Sequence, residues 1–360
     1  MIFVGDIASP APETTESLTK VISDEDGVFW NKRIVCNLEG LISEDIKLES
    51  NEPFLFNHPA VLDAIDTGQN PVICLANNHI LDCPSEYNHT IELLEDNGIQ
   101  YCGAGRSDRE AGNPAFFKDG VHEIAIFNSC WDFLMYNHKN PFHGVYVSEL
   151  KEENLIRKIT KLKTASPKTS LVVYLHWNLD LEVLPFPMHR VFARDLIDAG
   201  ASVVIGSHSH CIQGGEKYKE GYIIYGLGNF FVPHNIFISG KLNYPDFAST
   251  ELALEWDPDT SEATCHWYKY ALTDSEHRLI HIISEKFERS AMLNKYSPYK
   301  GMSDQEYLRY FKSNRRKKVL IPVYKDYRKK NVNNIHTRFL RIRARSARRL
   351  ARLGIIKWQN

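Results

Sequence analysis

No stretch of this 360-residue chain is apolar for long enough to cross a bilayer, so no transmembrane helix is expected. The seven cysteines, Cys36, Cys74, Cys83, Cys102, Cys130, Cys211 and Cys265, are odd in number and scattered in spacing. Neither a disulfide framework nor a zinc-ribbon spacing can be drawn from them. Cys36, Cys74 and Cys130 lie in or beside apolar runs, where small thiols are commonly buried. The first apolar run begins at Ile2, which leaves no room ahead of it for a signal peptide. These features set the expectation of a reduced, cytoplasmic protein. No internal repeat is visible, which argues against a solenoid.

Acid is scarce in one region. Residues 312–360 hold 17 of the chain's 43 Lys and Arg but only one of its 45 acids, Asp326, leaving 26 bases and 44 acids in residues 1–311. An acidic body thus carries a basic tail. Such a block is either a surface for anions, membranes or nucleic acid, or a solvated tail that folds back on the acidic body.

The chain is 43% hydrophobic, typical of a globular protein with a sizeable core. Five short apolar, β-branched runs each end in a polar motif: IFVGD (2–6), RIVCNLEG (33–40), PVICLANNH (71–79), LVVYLHW (171–177) and VVIGSHSH (203–210). Each run reads as a buried strand, and loops after strand ends are where α/β proteins build sites. The helices expected between them are HPAVLDAIDTG (58–68), PSEYNHTIELLEDNG (84–98), SELKEENLIRKITKLK (148–163) and MHRVFARDLIDAG (188–200). A further strand is HEIAIFNS (122–129), while SPAPETTES (9–17) reads as a loop arching over a strand end. KYKEGYIIYGLGNFFV (217–232) looks like a hairpin, and with residues 250–273 it predicts an antiparallel second sheet. Strand–helix alternation followed by hairpins gives a two-sheet α/β sandwich covered by helices. Past about residue 285 the composition shifts. A short helix starts at the cap Ser303, and a helix over 335–354 carries Ile335, Phe339, Ile342 and Leu350 on one side, with Gly354 as its stop.

The five motifs deliver Asp6, Asn37, Glu39, Asn77, Asn78, His79, His176, His208 and His210. Carboxylates, amide oxygens and imidazoles together suit a divalent-metal site. His208 and His210, two apart among Gly206, Ser207 and Ser209, point in different directions from one tight turn, which fits two neighbouring metals better than one tetrahedral ion. The plain alternative is a pair of surface histidines. Two amides and an imidazole directly after a buried strand are poor packing choices, although an Asx turn could use them. Asp6 and Glu39 could be loop caps or hard-metal ligands, and His176 could be a half-buried histidine. No one of these decides; as a set at five strand ends they are hard to explain as packing.

The ordered set GD, NLEG, ANNH, HW and GxHxH, followed by YGLGNFF, resembles the capsule-synthesis CapA (poly-gamma-glutamate synthesis) family of the calcineurin-like metallophosphoesterase superfamily. The resemblance covers roughly residues 1–235 and includes GAGRSDREAGNPAFF (103–117). It implies an α/β fold, a four-layer α/β/β/α metallophosphoesterase-like sandwich, and the composition shift sets the domain at residues 1–285 and a basic, partly helical C-terminal extension at 286–360. The resemblance implies two divalent cations, Mn, Fe or Zn, with Asp6 and His210 on one and Asn78, His176 and His208 on the other. Glu39 stands where the pattern has a bridging aspartate, and His79 would protonate or contact the phosphate. Asn37 and Asn77 would orient ligands, and Asn229 would shape the site's edge. The catalytic set is then His79, Asn78 and Asp6.

The sequence departs from the pattern in three ways. The D-x-H opening has no His, since Ile7 and Ala8 follow Asp6, which leaves the first metal poor in ligands. HWNLDLE replaces HWG with its nearby Glu, so Asp180 or Glu182 must serve if that acid matters. The export signal or anchor carried by most relatives is not seen. The expected activity is metal-dependent phosphoester hydrolysis in capsule or surface-polysaccharide biosynthesis, on a phosphorylated small molecule, glycan or polymer intermediate. A non-catalytic membrane-surface adaptor and a nucleic-acid phosphodiesterase are the competing readings; the acidic body weighs against nucleic acid. Residues 312–360 would hold the protein peripherally at the inner membrane face through anionic lipid.

Overall fold

The computed structural model describes residues 1–46, 54–132, 134–135, 144–273, 276–316 and 324–352. Among the described residues two large sheets face each other. The first runs in the order Glu276–Lys286, Ala263–Thr273, Thr250–Trp256, Ile2–Ile7, Ile34–Leu38, Val72–Cys74 and Gln100–Cys102, and Asn229–Phe231 also pairs with Ile2–Ile7. The second runs Ile212–Tyr218, Gly221–Leu227, Val203–Ser207, Ser170–His176, His122–Cys130 and Ala115–Asp119.

The alternation of side chains along each strand sorts the core into layers. Phe3, Val35, Val72 and Cys74 of the first sheet meet Ile124, Ile126, Val172, Tyr174, Val203 and Ile205 of the second in one buried cluster. Their strand neighbours Ile2, Val4, Ile34, Cys36 and Ile73 pack the other way, onto helices Pro12–Ile22, Ala60–Ile65 and Tyr87–Asp96. On the far side, Ala125, Phe127, Leu171, Val173 and Val204 pack onto helices Glu152–Ala165 and Pro187–Asp198. The layers therefore follow as helix, sheet, sheet, helix, the four-layer α/β/β/α order that the resemblance implied. A hydrogen bond crosses between the sheets, from the Tyr174 hydroxyl to the Val4 carbonyl at 2.6 Å.

Two expectations are corrected. The antiparallel strands do not make a separate second sheet. Thr250–Trp256 pairs antiparallel with Ile2–Ile7, so the late strands extend the first sheet. The second sheet is mixed, with a parallel centre of His122–Cys130, Ser170–His176, Val203–Ser207 and Gly221–Leu227. Alternation marks a strand as antiparallel but does not say which sheet accepts it. The segment read as a loop over 9–17 holds the helix Pro12–Ile22. Proline is favourable at a first helical position, the Thr14 and Thr15 hydroxyls donate to the Ala11 carbonyl, and Leu18 and Ile22 are buried.

Residues on both sides of position 285 share the outer core, where Tyr299, Tyr307, Phe311, Tyr324 and Tyr327 are buried. Ser303 caps helix Asp304–Asn314 in a reciprocal box, its backbone N–H donating to Glu306 at 2.8 Å. Helix Lys330–Arg352 begins before the expected 335. Gly354, its expected stop, and the Leu350 side chain lie outside the described residues. No helix among the described residues is long and apolar enough to cross a membrane.

One ion cluster ties the late segment to the second sheet. Arg190 is fully buried, donates to Glu216 at 3.2 Å and to the Met302 carbonyl at 2.9 Å, and lies over the Tyr307 ring at 4.9 Å. Arg194 donates to the same carboxylate at 2.9 Å. Burial alone would raise the Glu216 pKa; the Arg194 hydrogen bond, the Arg190 charge and the Tyr225 hydroxyl outweigh it and hold it below its usual value. A depressed carboxylate stabilises the fold above the ordinary glutamate range and loses that contribution as pH falls through its folded pKa. Glu216→Gln removes the buried counter-charge of both arginines and leaves them the exposed Asp304, 3.3 Å from Arg194 and 3.9 Å from Arg190, and urea denaturation at neutral pH is expected to register a loss of about 3 kcal/mol. The difference between variant and parent should shrink as the pH is lowered below about 4. A pH-independent difference would mean that packing, not charge, carries the effect.

Candidate metal centre

The parallel strands of both sheets end at one edge, and their last residues form the site. Asp6, next to the end of strand Ile2–Ile7, is in register with Asn37 on one neighbour and Asn229 on the other. A Cβ at Gly5 would sit 1.9 Å from the Gly228 carbonyl oxygen, so the crossing of residue 228 requires glycine beside Asp6. Gly40 has φ +88, and a Cβ there would lie 1.9 Å from the Leu55 carbonyl oxygen, which accounts for the glycine after Glu39. His208 (φ 80) and His210 (φ 50) both adopt the left-handed region, at a cost on the order of 1–3 kcal/mol each. Two such residues flanking Ser209 make the tight turn expected from the H-x-H spacing.

The side chains converge on Glu39. Its Oε1 lies 3.7 Å from His176 Nε2, 3.9 Å from His79 Nε2 and 3.9 Å from His210 Nε2. Ligand atoms of Glu39, His208 and His210 all lie within 4.8 Å of one another. Asp6 Oδ2 is 3.5 Å from His210 Nδ1 and accepts the His208 backbone N–H at 3.1 Å, while Oδ1 accepts the Asn37 amide at 2.8 Å. His176 Nε2 meets Asn78 Oδ1 at 2.7 Å and its Nδ1 meets the Ser207 hydroxyl at 3.0 Å. His210 Nδ1 meets Asn229 Oδ1 at 2.7 Å, and the His176 and His208 rings stand 4.8 Å apart. Asn77 donates to the Leu38 carbonyl at 2.8 Å and to Asn37 Oδ1 at 3.3 Å, and accepts the His79 N–H at 3.1 Å. One amide network thus fixes three strand ends.

Electrostatically the centre suits a cation. Burial, followed by the charges of Asp6, Asp180 and Asp82, pushes the Glu39 carboxyl well above its usual range. Asp6 is raised by burial against the lowering effects of His210, the His208 N–H and Asn37. Burial, then the neighbouring His208, His210 and His79, push His176 well below the ordinary imidazole value, so it is neutral and its ring can act as a ligand. Both Glu39 oxygens are buried without a hydrogen-bond partner. A carboxylate left so among imidazoles fits a divalent cation, because a bound cation would offset the desolvation that the protein leaves uncompensated.

Of the two acids offered for the missing Glu, Glu182 is held elsewhere: its Oε1 accepts the backbone N–H groups of Leu184 at 3.3 Å and Arg316 at 3.0 Å. Asp180 acts on Glu39 through its charge. Ala8, where the pattern has a histidine, is buried and offers no ligand. Three participants escaped the motif reading. Asp82 meets His79 Nδ1 at 2.6 Å; a carboxylate three residues after a histidine was a usable signal. The Tyr244 ring lies 5.0 Å from that of His210, tilted by 39°, and its hydroxyl is raised by burial and then by Glu39, Asp180 and Asp6. Glu251 is buried and raised by burial and then by Asp6. Nothing in the spacing of residues 244 and 251 links them to the five motifs.

Comparison with known proteins gives a match to the family model "Bacterial capsule synthesis protein PGA_cap" over residues 3–234. The chain is 28% identical over 162 residues to the capsule biosynthesis protein CapA of Bacillus anthracis, covering 44% of this chain and 39% of that protein. It is 29% identical over 210 residues to a protein of Mycobacterium tuberculosis named a probable polyglutamine synthesis accessory protein, covering 54% of each. The chain thus spans about half the length, or less, of these curated relatives. Among solved structures, a sulfate thiohydrolase SoxB of Thermus thermophilus aligns with TM-score 0.39 and 10% identity, over 80% of this chain and 46% of that one.

A neutral amide at position 39 would remove the cation's central partner without disturbing a hydrogen bond. Glu39→Gln is expected to keep or raise the metal-free Tm while weakening Mn²⁺ or Zn²⁺ binding by at least about tenfold. Thermal denaturation with and without metal, and metal content by mass spectrometry, measure both. An equal drop in Tm in the absence of metal would make Glu39 a structural residue.

Proposed function

The chain belongs to the bacterial capsule synthesis protein family PGA_cap, and from that premise we propose that it is a metal-dependent phosphoester hydrolase serving capsule or surface-polymer synthesis. The observation that carries this reading is Glu39: buried, with neither oxygen hydrogen-bonded, and within 3.7–3.9 Å of three imidazoles. Asp6, Glu39, Asn78, His176, His208 and His210 would hold the cations, of the Mn, Fe or Zn class. Bound there, divalent cations would supply Lewis acidity toward a phosphoryl oxygen and water acidified toward a pKa of about 7.

The chain's own residues do the positioning. The Asn37 amide and the His208 N–H fix both oxygens of Asp6. His210 can donate Nδ1–H to Asn229, which leaves Nε2 with a lone pair facing Glu39. The neutral His176 ring can donate Nε2–H to Asn78 Oδ1 at 2.7 Å and accept the Ser207 hydroxyl at Nδ1, and a bound cation would take the place of that Nε2 proton. His79 is partly exposed, and Asp82 meets its Nδ1 at 2.6 Å, which orients the ring. Its Nε2, 3.9 Å from Glu39 Oε1, would be the atom that passes a proton to the leaving oxygen of a phosphorylated small molecule, glycan or polymer intermediate.

The rival is a non-catalytic accessory role. The observation in its favour is Ala8, which gives the Asp6 side of the site one ligand fewer than the superfamily pattern. Metal-loaded protein assayed on an aryl phosphate and a bis-aryl phosphate separates the two. His208→Ala and His210→Ala are expected to abolish metal-dependent turnover with the fold retained. His79→Asn should keep its metal and lose rate by a factor of about 10², whereas Asn78→Ala should weaken metal binding. Metal-loaded parent protein inactive on both esters and on lipid-linked sugar phosphates would favour the accessory role. Equal metal loss in the His79 and Asn78 variants would mean that their roles have been misassigned.

A further inference from the structure

Three described residues along one side tie helix Lys330–Arg352 to neighbouring segments. Lys330 pairs with Glu153 at 3.0 Å, Asn333 donates to the Asp326 carbonyl at 3.0 Å, and Thr337 meets the Tyr324 hydroxyl at 3.0 Å. At about 100° per residue, Val332, Ile335, Phe339 and Ile342 fall within an arc of about 80° on the opposite side. All four are exposed, between 49% and 66%. These four described side chains are therefore not folded back onto the acidic body. Residues 330–352 contain eight Lys and Arg and no acid.

We propose that this helix face is a docking surface for an anionic lipid bilayer, with Val332, Ile335, Phe339 and Ile342 inserted at the headgroup boundary and the arginines around them on the phosphates. The charge selects the occupant. A second copy of the helix would set cations against cations with no acid to pair them, which disfavours self-association through this stripe. Nucleic acid would use the arginines but has no use for four exposed aliphatic and aromatic side chains in a row. A bilayer with anionic headgroups satisfies both halves of the pattern, apolar face and cationic flank. The inference does not rest on the hydrolase reading, since no proposed metal ligand lies in this helix.

The test uses the full chain and sedimentation with vesicles of phosphatidylcholine alone or of phosphatidylcholine with phosphatidylglycerol. Binding is expected only with the anionic lipid and should fall steeply with added salt. The double variant Ile335→Glu with Phe339→Glu should lower the partition coefficient at least about tenfold. The triple variant Arg338→Gln, Arg341→Gln and Arg345→Gln should lower it by about two orders of magnitude. Both variants should keep the parent's Tm, so that lost binding is not lost folding. Equal binding to the two vesicle types, or binding untouched by the Ile335 and Phe339 changes, overturns the proposal. So does oligonucleotide binding without vesicle binding, or a concentration-dependent dimer that the Ile335 and Phe339 changes dissolve.

Discussion

A carboxylate taken out of water without a hydrogen-bond donor is among the costlier arrangements a fold can hold, and Glu39 is one. Its surroundings make the cost larger, since Asp6, Asp82 and Asp180 all oppose its ionisation. Only a well-determined backbone keeps such a group in place. The turn that carries His208 and His210 at positive φ adds strain at the same spot. Destabilising features concentrated at one sheet edge, while the rest of the sandwich is packed in regular layers, are the mark of a site kept for chemistry and not for stability.

The support for that edge is itself polar. Asn77 links the Leu38 carbonyl, Asn37 and the His79 backbone, and Asn37 passes the constraint on to Asp6. Amides suit this work because each offers donors and an acceptor without adding charge to an acidic centre. The asparagines that stand out in NLEG and ANNH thus divide into two kinds. Asn37 and Asn77 hold strand ends together, while Asn78 turns toward His176. Adjacent residues face opposite sides of the loop, which explains why the doubled amide is followed at once by an imidazole.

How much of this was legible in the chain depended on the range of the interaction. The five strand ends could be read because each motif is local: an apolar run fixes the strand, and the next residues must emerge at its end. The layering followed from the same runs. The helix Pro12–Ile22 was missed because Pro and Thr were weighed as turn formers, although Pro12 occupies the one helical position that tolerates it and the threonine hydroxyls back-bond to Ala11. The sheet that accepts Thr250–Trp256 could not be read, because alternation carries no address. Tyr244 and Glu251 reach the site from a late loop and strand, and only tertiary packing brings them within range of His210 and Asp6.

Charge then orders the events the site can support. The ionisable acids around Glu39 would repel a phosphorylated ligand, and the buried His176 is held neutral. A phosphate cannot be attracted by such a centre on its own account. On the proposed hydrolase reading, cations would have to enter first and reverse the sign of the field at the sheet edge before an anionic substrate could follow. The same acidic body would be repelled by an anionic surface, and the stripe-bearing helix sets its basic residues on an outward element tied to that body by Lys330, Asn333 and Thr337. Separating the two charges in space would let one chain combine the proposed divalent-cation site in a buried acidic centre with the proposed docking of its basic helix on a negatively charged layer.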